Sequence, residues 1–129
     1  MESITRDNLL ARLVEAVPEF IADPEYVEDD LAYLVFNDLT RFILSLLETE
    51  TDKKLIQRVF DFIEEVARVQ DQTITDVLSD SFNELAIKEP KRARSYMGKF
   101  TSKIFQNVED EVYGDTSIAR KIGRAIKHL

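Results

Sequence analysis

The stretch LTRFILSLLE, residues 39–48, carries a phenylalanine among apolar residues at helical spacing. Two comparable stretches follow it, VFDFIEEVAR at residues 59–68 and SDSFNELAIK at residues 79–88. The phenylalanines that recur every 20 residues in these stretches are Phe42, Phe62 and Phe82. A helix of about 15 residues and a short loop make a unit of this length, so the spacing predicts successive helices.

Apolar residues continue at intervals of three and four on both sides of this segment, as amphipathic helices require. The apolar stripes run from Leu9 to Val17, Leu31 to Leu47, Leu55 to Ala67, Ile74 to Ala86, Ala93 to Val112 and Ile118 to Ile126. The first helix is expected to start at Ser3 or Thr5, and the third to hold Phe62 on a flank. Pro18 and Pro90 interrupt helices, and Gly114 is placed as a C-terminal stop.

These patterns predict an all-α fold of five to six antiparallel helices. Only three glycines and three prolines are present, and no segment of useful length alternates with period two, so a sheet is not expected. A pair of such units has the size of a HEAT-type helical pair. A compact bundle and a short HEAT-like α–α array both remain open, and residues 1–129 are expected to form a single domain.

The inventory of reactive side chains is short. The chain has no cysteine and one histidine, His128, beside the C-terminus. Nucleophilic Ser–His and Cys–His arrangements, glycine-rich phosphate loops and thiolate metal sites are therefore not expected, and we predict no catalytic residue, metal site or cofactor. The N-terminus lacks the features of a secretory signal and no apolar run is long enough to span a bilayer, so a cytoplasmic protein is expected.

The net charge of −8 is unevenly distributed along the chain. Residues 1–87 have 7 Lys/Arg and 20 Asp/Glu, whereas residues 88–129 have 10 and 5. Two interpretations are compatible with this asymmetry: the two parts attract each other within one fold, or the acidic part meets a basic partner.

Carboxylates on the third and fourth predicted helices form the candidate site. The residues are Asp61, Glu64, Glu65, Asp76, Asp80 and Glu84. The last three lie four residues apart, and like charges at that spacing repel each other along a helix. A solvated face, a docking ridge for a basic partner, and a divalent-metal or acid–base site are the three interpretations considered.

The basic third of the chain has two further interpretations. Residues 90–105 combine Lys and Arg with Tyr96 and Phe100, a combination found in single-stranded nucleic-acid binding. Both aromatics fit the apolar stripe, however, and an acidic body repels phosphate, so nucleic-acid binding is not expected. Residues 115–129 are predicted to form a basic amphipathic tail helix that docks onto the acidic body, with a membrane surface or a partner's groove as alternatives.

The segments LVFNDLTRFILSLLE, VFDFIEEVARVQD and LSDSFNELA resemble a group of small, acidic, all-helical bacterial proteins, some of them similar to toxin-immunity proteins of contact-dependent inhibition systems. The resemblance covers residues 30–88 and includes the FIEE element at residues 62–65. It implies a cytoplasmic protein that binds a basic nuclease toxin directly, and it carries no catalytic signature.

We therefore expect a non-catalytic binding protein, most simply an immunity protein whose acidic face occludes a basic toxin. A helical-repeat scaffold or adaptor without a toxin partner is the first alternative, and a carboxylate-only metal-dependent enzyme is the second. The oligomeric state does not follow from the sequence.

Overall fold

The protein was analysed as a computed structural model, which describes residues 4–5, 7–20 and 31–112. Within these ranges the structure is all-α, with six helices and no strand. The helices are α1 (Leu9–Ala16), α2 (Leu31–Thr49), α3 (Lys53–Arg68), α4 (Gln72–Lys88), α5 (Pro90–Arg94) and α6 (Lys99–Val112). The predicted fold class is confirmed.

Two turns of similar design produce the 20-residue interval. Each has one residue in the left-handed region, Glu50 with φ 48° after α2 and Gln70 with φ 59° after α3. An aspartate then caps the next helix, because Asp52 accepts a hydrogen bond from the Leu55 amide at 3.0 Å and Asp71 one from the Ile74 amide at 3.1 Å. Aspartate satisfies backbone amides that the first turn leaves without partners.

The helices pack with alternate elements as neighbours. α4 lies between α2 and α6 and makes its most extensive contacts with these two helices. α3 packs against α6 and also contacts α1, α2 and α4. The helices therefore form one compact all-α arrangement, and the bundle and the short array both stay predictions.

One apolar core joins these helices, and it contains buried residues from α1, α2, α3, α4, α5 and α6. The regularly spaced phenylalanines do not form one column among the described residues. Phe42 is half-buried and meets Phe20 edge-on at 5.7 Å between ring centroids, whereas Phe82 packs against Phe105 at 5.9 Å. Phe62 was predicted on a flank of α3, but its side chain is 3 % exposed and belongs to the core.

The predicted fifth helix is divided in two, which corrects the sequence-based expectation. α5 ends at Arg94 and α6 begins at Lys99, with Ser95 to Gly98 between them. At Gly98, the last residue before α6, the carboxylate of Glu64 occupies the space that a side chain would need. A Cβ atom on Gly98 would lie 2.5 Å from Glu64 Cδ, far inside van der Waals contact.

The predicted first helix is shorter than expected at its start. Before Leu9, the Thr5 amide donates to Asn8 Oδ1 at 2.7 Å and the Asn8 amide donates to Thr5 Oγ1 at 3.3 Å. These reciprocal bonds hold a turn that precedes the helix. The expected start at Ser3, the stop at Gly114 and the predicted tail helix at 115–129 lie outside the described residues.

Candidate functional site

The exposed face of α4 carries three of the predicted carboxylates. Asp76, Asp80 and Glu84 are all exposed. Their orientation follows from the opposite face of the helix, which is buried in the core through Ile74, Val77, Leu78, Phe82 and Leu85. We call the three carboxylates the α4 ridge.

The α4 ridge is not neutralised by neighbouring cations. No lysine or arginine within the described ranges forms an ion pair with any of its three carboxylates. The Asp76 carboxylate accepts a hydrogen bond from Gln72 Nε2, in the side-chain amide, at 2.8 Å. Carboxylates elsewhere are paired, for example Glu50 with Arg92 at 3.2 Å. The like charges of the ridge therefore face solvent without an ion-pair partner among the described residues.

A polar groove separates the α4 ridge from α2. Its volume is about 230 Å³. It is lined by Asn37, Thr40 and Arg41 of α2 and by Asp80, Ser81, Asn83 and Glu84 of α4. Two ridge carboxylates thus form one wall of a concave site, which we call the α2–α4 groove.

The floor and rim of the groove differ in exposure. Thr40 and Ser81 are each 4 % exposed, and Ser81 Oγ donates to the Leu78 carbonyl at 3.0 Å. Arg41 projects into solvent at the rim and its guanidinium pairs with Asp38 at 3.1 Å. The groove therefore combines buried hydroxyls, amides and exposed charges of both signs.

An apolar side chain adjoins the α4 ridge. Ile87 is 61 % exposed and is the most exposed of the large apolar side chains in the described part of the protein. It follows Glu84 by three residues and Asn83 by four, so it lies on the same helix face. An apolar group surrounded by polar ones is the composition of a small protein-binding patch.

Glu64 occupies a different place and has a structural role. Its carboxylate accepts hydrogen bonds from the Phe100 amide at 3.1 Å and from the Thr101 amide and hydroxyl at 2.8 Å each. These groups belong to the first turn of α6, where backbone amides lack helical partners and the helix dipole favours negative charge. Glu64 therefore caps α6 from α3, in the position where Gly98 offers no side chain.

The environment of Glu64 lowers its pKa below the ordinary value. Burial by itself raises the pKa, because it disfavours the charged form. The hydrogen bonds from Thr101 and Phe100, together with the charge of Arg68, outweigh burial and favour the carboxylate. The ionised form is thus the one that holds α3 and α6 together.

The two remaining predicted residues lie on other faces of α3. Asp61 is exposed and accepts from Gln57 Nε2 at 2.8 Å, and the same nitrogen donates to the Tyr96 carbonyl at 3.2 Å. Glu65 is directed toward α1, where its carboxylate lies 3.8 Å from Arg12. The structure therefore brings together Asp76, Asp80 and Glu84, but it leaves the α3 carboxylates apart from them.

Sequence reasoning missed the α2 side of the groove. Asn37, Thr40 and Arg41 were not among the predicted site residues. Polar residues at positions 37, 40 and 41 follow the three-and-four spacing of one helix face. That spacing was the available signal for a polar strip beside α4.

Two further properties of the described ranges bear on the predicted function. No group of three or more Asp, Glu or His side chains is arranged there so that it could hold a metal ion. None of the helices described combines the length and the apolar character needed to cross a membrane.

The fold and this site define a small all-α protein with an uncompensated acidic helix face. The chain belongs to the family described as a domain of unknown function (DUF7674), whose model matches residues 10–114. This match spans nearly all of the six helices. No curated protein and no solved structure matched the chain. Nothing in the family match connects it with toxin-immunity proteins, so that resemblance stays a prediction.

Proposed function

We propose that this protein is a non-catalytic binding module that holds a basic protein partner on the α4 ridge and the adjoining α2–α4 groove. The observation that carries the proposal is the set of three exposed carboxylates on one helix face, which no described cation pairs. The acidic composition of residues 1–87 supports the same choice of partner charge.

The energetic cost of the ridge supports a role in binding, because its carboxylates do not stabilise the fold. Like charges four residues apart on a helix cost about 0.2–0.5 kcal/mol for each pair. The core gains nothing in return, because Asp76, Asp80 and Glu84 point away from it. A basic partner would convert this repulsion into attraction at the interface.

The proposed binding face combines charged and apolar groups, and the two kinds of group have different roles in binding. Complementary charges mainly accelerate association and select the partner, whereas well-packed central anchors set the lifetime of a complex. The ridge carboxylates supply the charge, and Ile87, which is 61 % exposed, supplies an apolar anchor beside them. Asp61, Glu64 and Glu65 stay predictions as binding residues, and the proposal does not depend on them.

Within this class we propose an immunity protein that acts in the cytoplasm by covering the active site of a basic, nuclease-type toxin. The resemblance of residues 30–88 and the net charge of −8 support this finer proposal. The gene next to the one that encodes this chain distinguishes it from a scaffold. A neighbouring toxin-like gene with a basic C-terminal domain is expected, and its absence would favour the scaffold.

Charge reversal tests the binding face directly. In the variant Asp76→Lys, Asp80→Lys, Glu84→Lys we expect an unchanged circular dichroism spectrum and loss of partner capture in affinity purification with mass spectrometry. The control variant Asp7→Lys, Glu15→Lys, Glu111→Lys makes the same charge change at exposed acids on other elements. It should retain the partner, and retention by both variants would remove the α4 ridge from the proposal.

A further inference from the structure

We infer that the α2–α4 groove is a guanidinium site, filled by an arginine side chain of the basic partner. This inference rests on the proposed function, because it names the chemical group that the same face receives. It goes beyond general charge attraction, since it assigns acceptors on both walls of one cavity to one side chain.

The first observation is a threonine of the groove whose hydroxyl has no hydrogen-bond partner among the described residues. Thr40 lines the groove and is 4 % exposed, yet its hydroxyl makes no hydrogen bond to the described residues. Serine and threonine hydroxyls inside a helix can bond to a backbone carbonyl of the preceding turn, as Ser79 Oγ does here at 2.9 Å from the Thr75 carbonyl. The Thr40 hydroxyl is not one of the fully buried unpaired atoms, so it is open to a ligand that enters the groove.

The second observation is the distribution of acceptors around this hydroxyl. The α4 wall contributes two carboxylates, Asp80 and Glu84, and the side-chain amide of Asn83. The α2 wall contributes the side-chain amide of Asn37 beside Thr40, and the oxygen of each amide can accept a hydrogen bond. The volume of about 230 Å³ accommodates one side-chain head group and water. Acceptors thus surround the space from two helices.

This arrangement suits arginine better than lysine. A guanidinium is planar and directs five N–H donors outward in a fixed fork, so it can bond to acceptors on opposite walls at once. An ammonium concentrates three donors at a point and is more strongly hydrated. Two carboxylates and three neutral acceptors therefore favour the guanidinium.

The carboxylates of the groove remain available to a ligand because Arg41 does not pair with them. Its guanidinium lines the rim of the groove but pairs with Asp38, on its own helix, at 3.1 Å. It forms no ion pair with Asp80 or Glu84 in the structure. Arg41 is therefore a cation that disfavours a second guanidinium by repulsion, and its removal should strengthen binding.

The probe is N-acetyl-arginine amide, titrated into the full chain and followed by ¹H–¹⁵N NMR. We expect saturable shifts at amides of α2 and α4 around the groove, with a dissociation constant in the millimolar range, which is ordinary for a single side chain. N-acetyl-lysine amide should bind at least about fivefold more weakly. Equal binding of the two probes, or shifts spread over all acidic surfaces, would overturn the inference.

Four single variants have different expected effects on the affinity for the arginine probe. Asp80→Asn should weaken arginine binding about tenfold, because a charge-assisted bond is lost. Thr40→Val keeps the side-chain shape, and it should weaken binding about threefold. Arg41→Gln should strengthen it about threefold. Glu15→Gln, an exposed acid of α1, should change nothing. Unchanged affinity in both Thr40→Val and Arg41→Gln would contradict the assignment of the groove.

The experiments distinguish a failure of this inference from a failure of the proposed function. If the α4 charge reversal abolishes partner capture but the arginine probe does not bind the groove, the binding face stands and the guanidinium site falls. A further experiment tests whether the basic residues of the C-terminal segment fill the groove, which would overturn the inference. Their substitution by glutamine at Arg120, Lys121, Arg124 and Lys127 should leave probe affinity unchanged, and a several-fold increase would assign the groove to this chain's own tail.

Discussion

Glu64 joins two helices through a single carboxylate. Three donors from the first turn of α6 converge on it, at distances of 2.8 to 3.1 Å. In most helices the residue before the first turn provides such a cap from its own side chain. Here that residue is Gly98, and the absence of a Cβ atom allows a carboxylate from α3 to take its place.

The first prediction concerns the coupling of these two residues. Gly98→Ala should lower the free energy of unfolding by about 2 kcal/mol, because the added Cβ displaces the bonded carboxylate. Glu64→Gln should cause a loss of about the same size. Because both substitutions break the same bonds, the double variant should lose much less than the sum, as measured by urea denaturation. Simple additivity would show that the two residues act independently.

The second prediction follows from the lowered pKa of Glu64. A carboxyl group with a lower pKa in the folded than in the unfolded state stabilises the fold above its unfolded pKa. This contribution is lost as the pH falls through the folded pKa. The stability difference between the wild type and Glu64→Gln should therefore shrink when urea denaturation is repeated from pH 7 downward below about pH 4. A difference that stays constant with pH would contradict the ionised cap.

The role of Glu64 could not be predicted from sequence, and the reason is physical. Its position beside Glu65 on a charged helix face is equally compatible with exposure to solvent. The contact with α6 spans 36 residues of chain, and periodicity reports only the face of a residue's own helix. The same lack of tertiary information placed Phe62 on a flank of α3, although its ring is buried.

At the scale of secondary-structure elements, the two faces of α4 have conflicting effects on stability. Its buried face packs against α2 and α6 at the centre of the fold. Its exposed face carries acids at positions 76, 80 and 84, whose mutual repulsion weakens the helix. A surface selected for stability alone would alternate the signs of these charges.

The third prediction tests this conflict. Asp80→Lys replaces two repulsive pairs, with Asp76 and with Glu84, by two attractive ones. The free energy of unfolding should rise by about 0.5–1 kcal/mol in urea denaturation at low ionic strength, while capture of the partner weakens. Asp80→Asn should give about half of the gain in stability. A loss of stability in both variants would mean that Asp80 supports the fold and is not a residue maintained for binding.

The start signals of α3 and α4 were predictable because they are local. Asp52 and Asp71 precede apolar periodic segments, and each bonds to an amide three residues later. The division of α5 from α6 was not predictable, because the apolar stripe continues through Tyr96 and Met97 without a change of period. The close approach of Glu64 to Gly98 at the break is a tertiary contact, which periodicity does not report.

At the scale of the whole molecule, the order of helices explains why the groove exists. α2 and α4 are separated in sequence by α3, and the fold brings them together as neighbours. The ridge could be predicted from spacing within one helix. Its opposite wall, formed by Asn37, Thr40 and Arg41, required knowledge of which helix lies beside α4.

The ion pairs show how charge is distributed over the described part of the molecule. Arg92, from the basic third, pairs with Glu50 of the acidic part at 3.2 Å. This pair supports attraction between the two parts of the chain at that acid. The α4 ridge takes part in none of the described ion pairs, and for its residues the basic-partner interpretation stays a proposal.

The fourth prediction is the most direct test of the acidic face: the association rate constant of the captured basic partner, measured by stopped flow at about 0.02 M and 0.3 M salt. For the wild type we predict rapid association that slows at least about tenfold at the higher salt, because screening shortens the range of attraction. The variant with lysine at positions 76, 80 and 84 should associate slowly at both concentrations. Equal rates for wild type and variant, with the same salt dependence, would contradict a binding face built on α4.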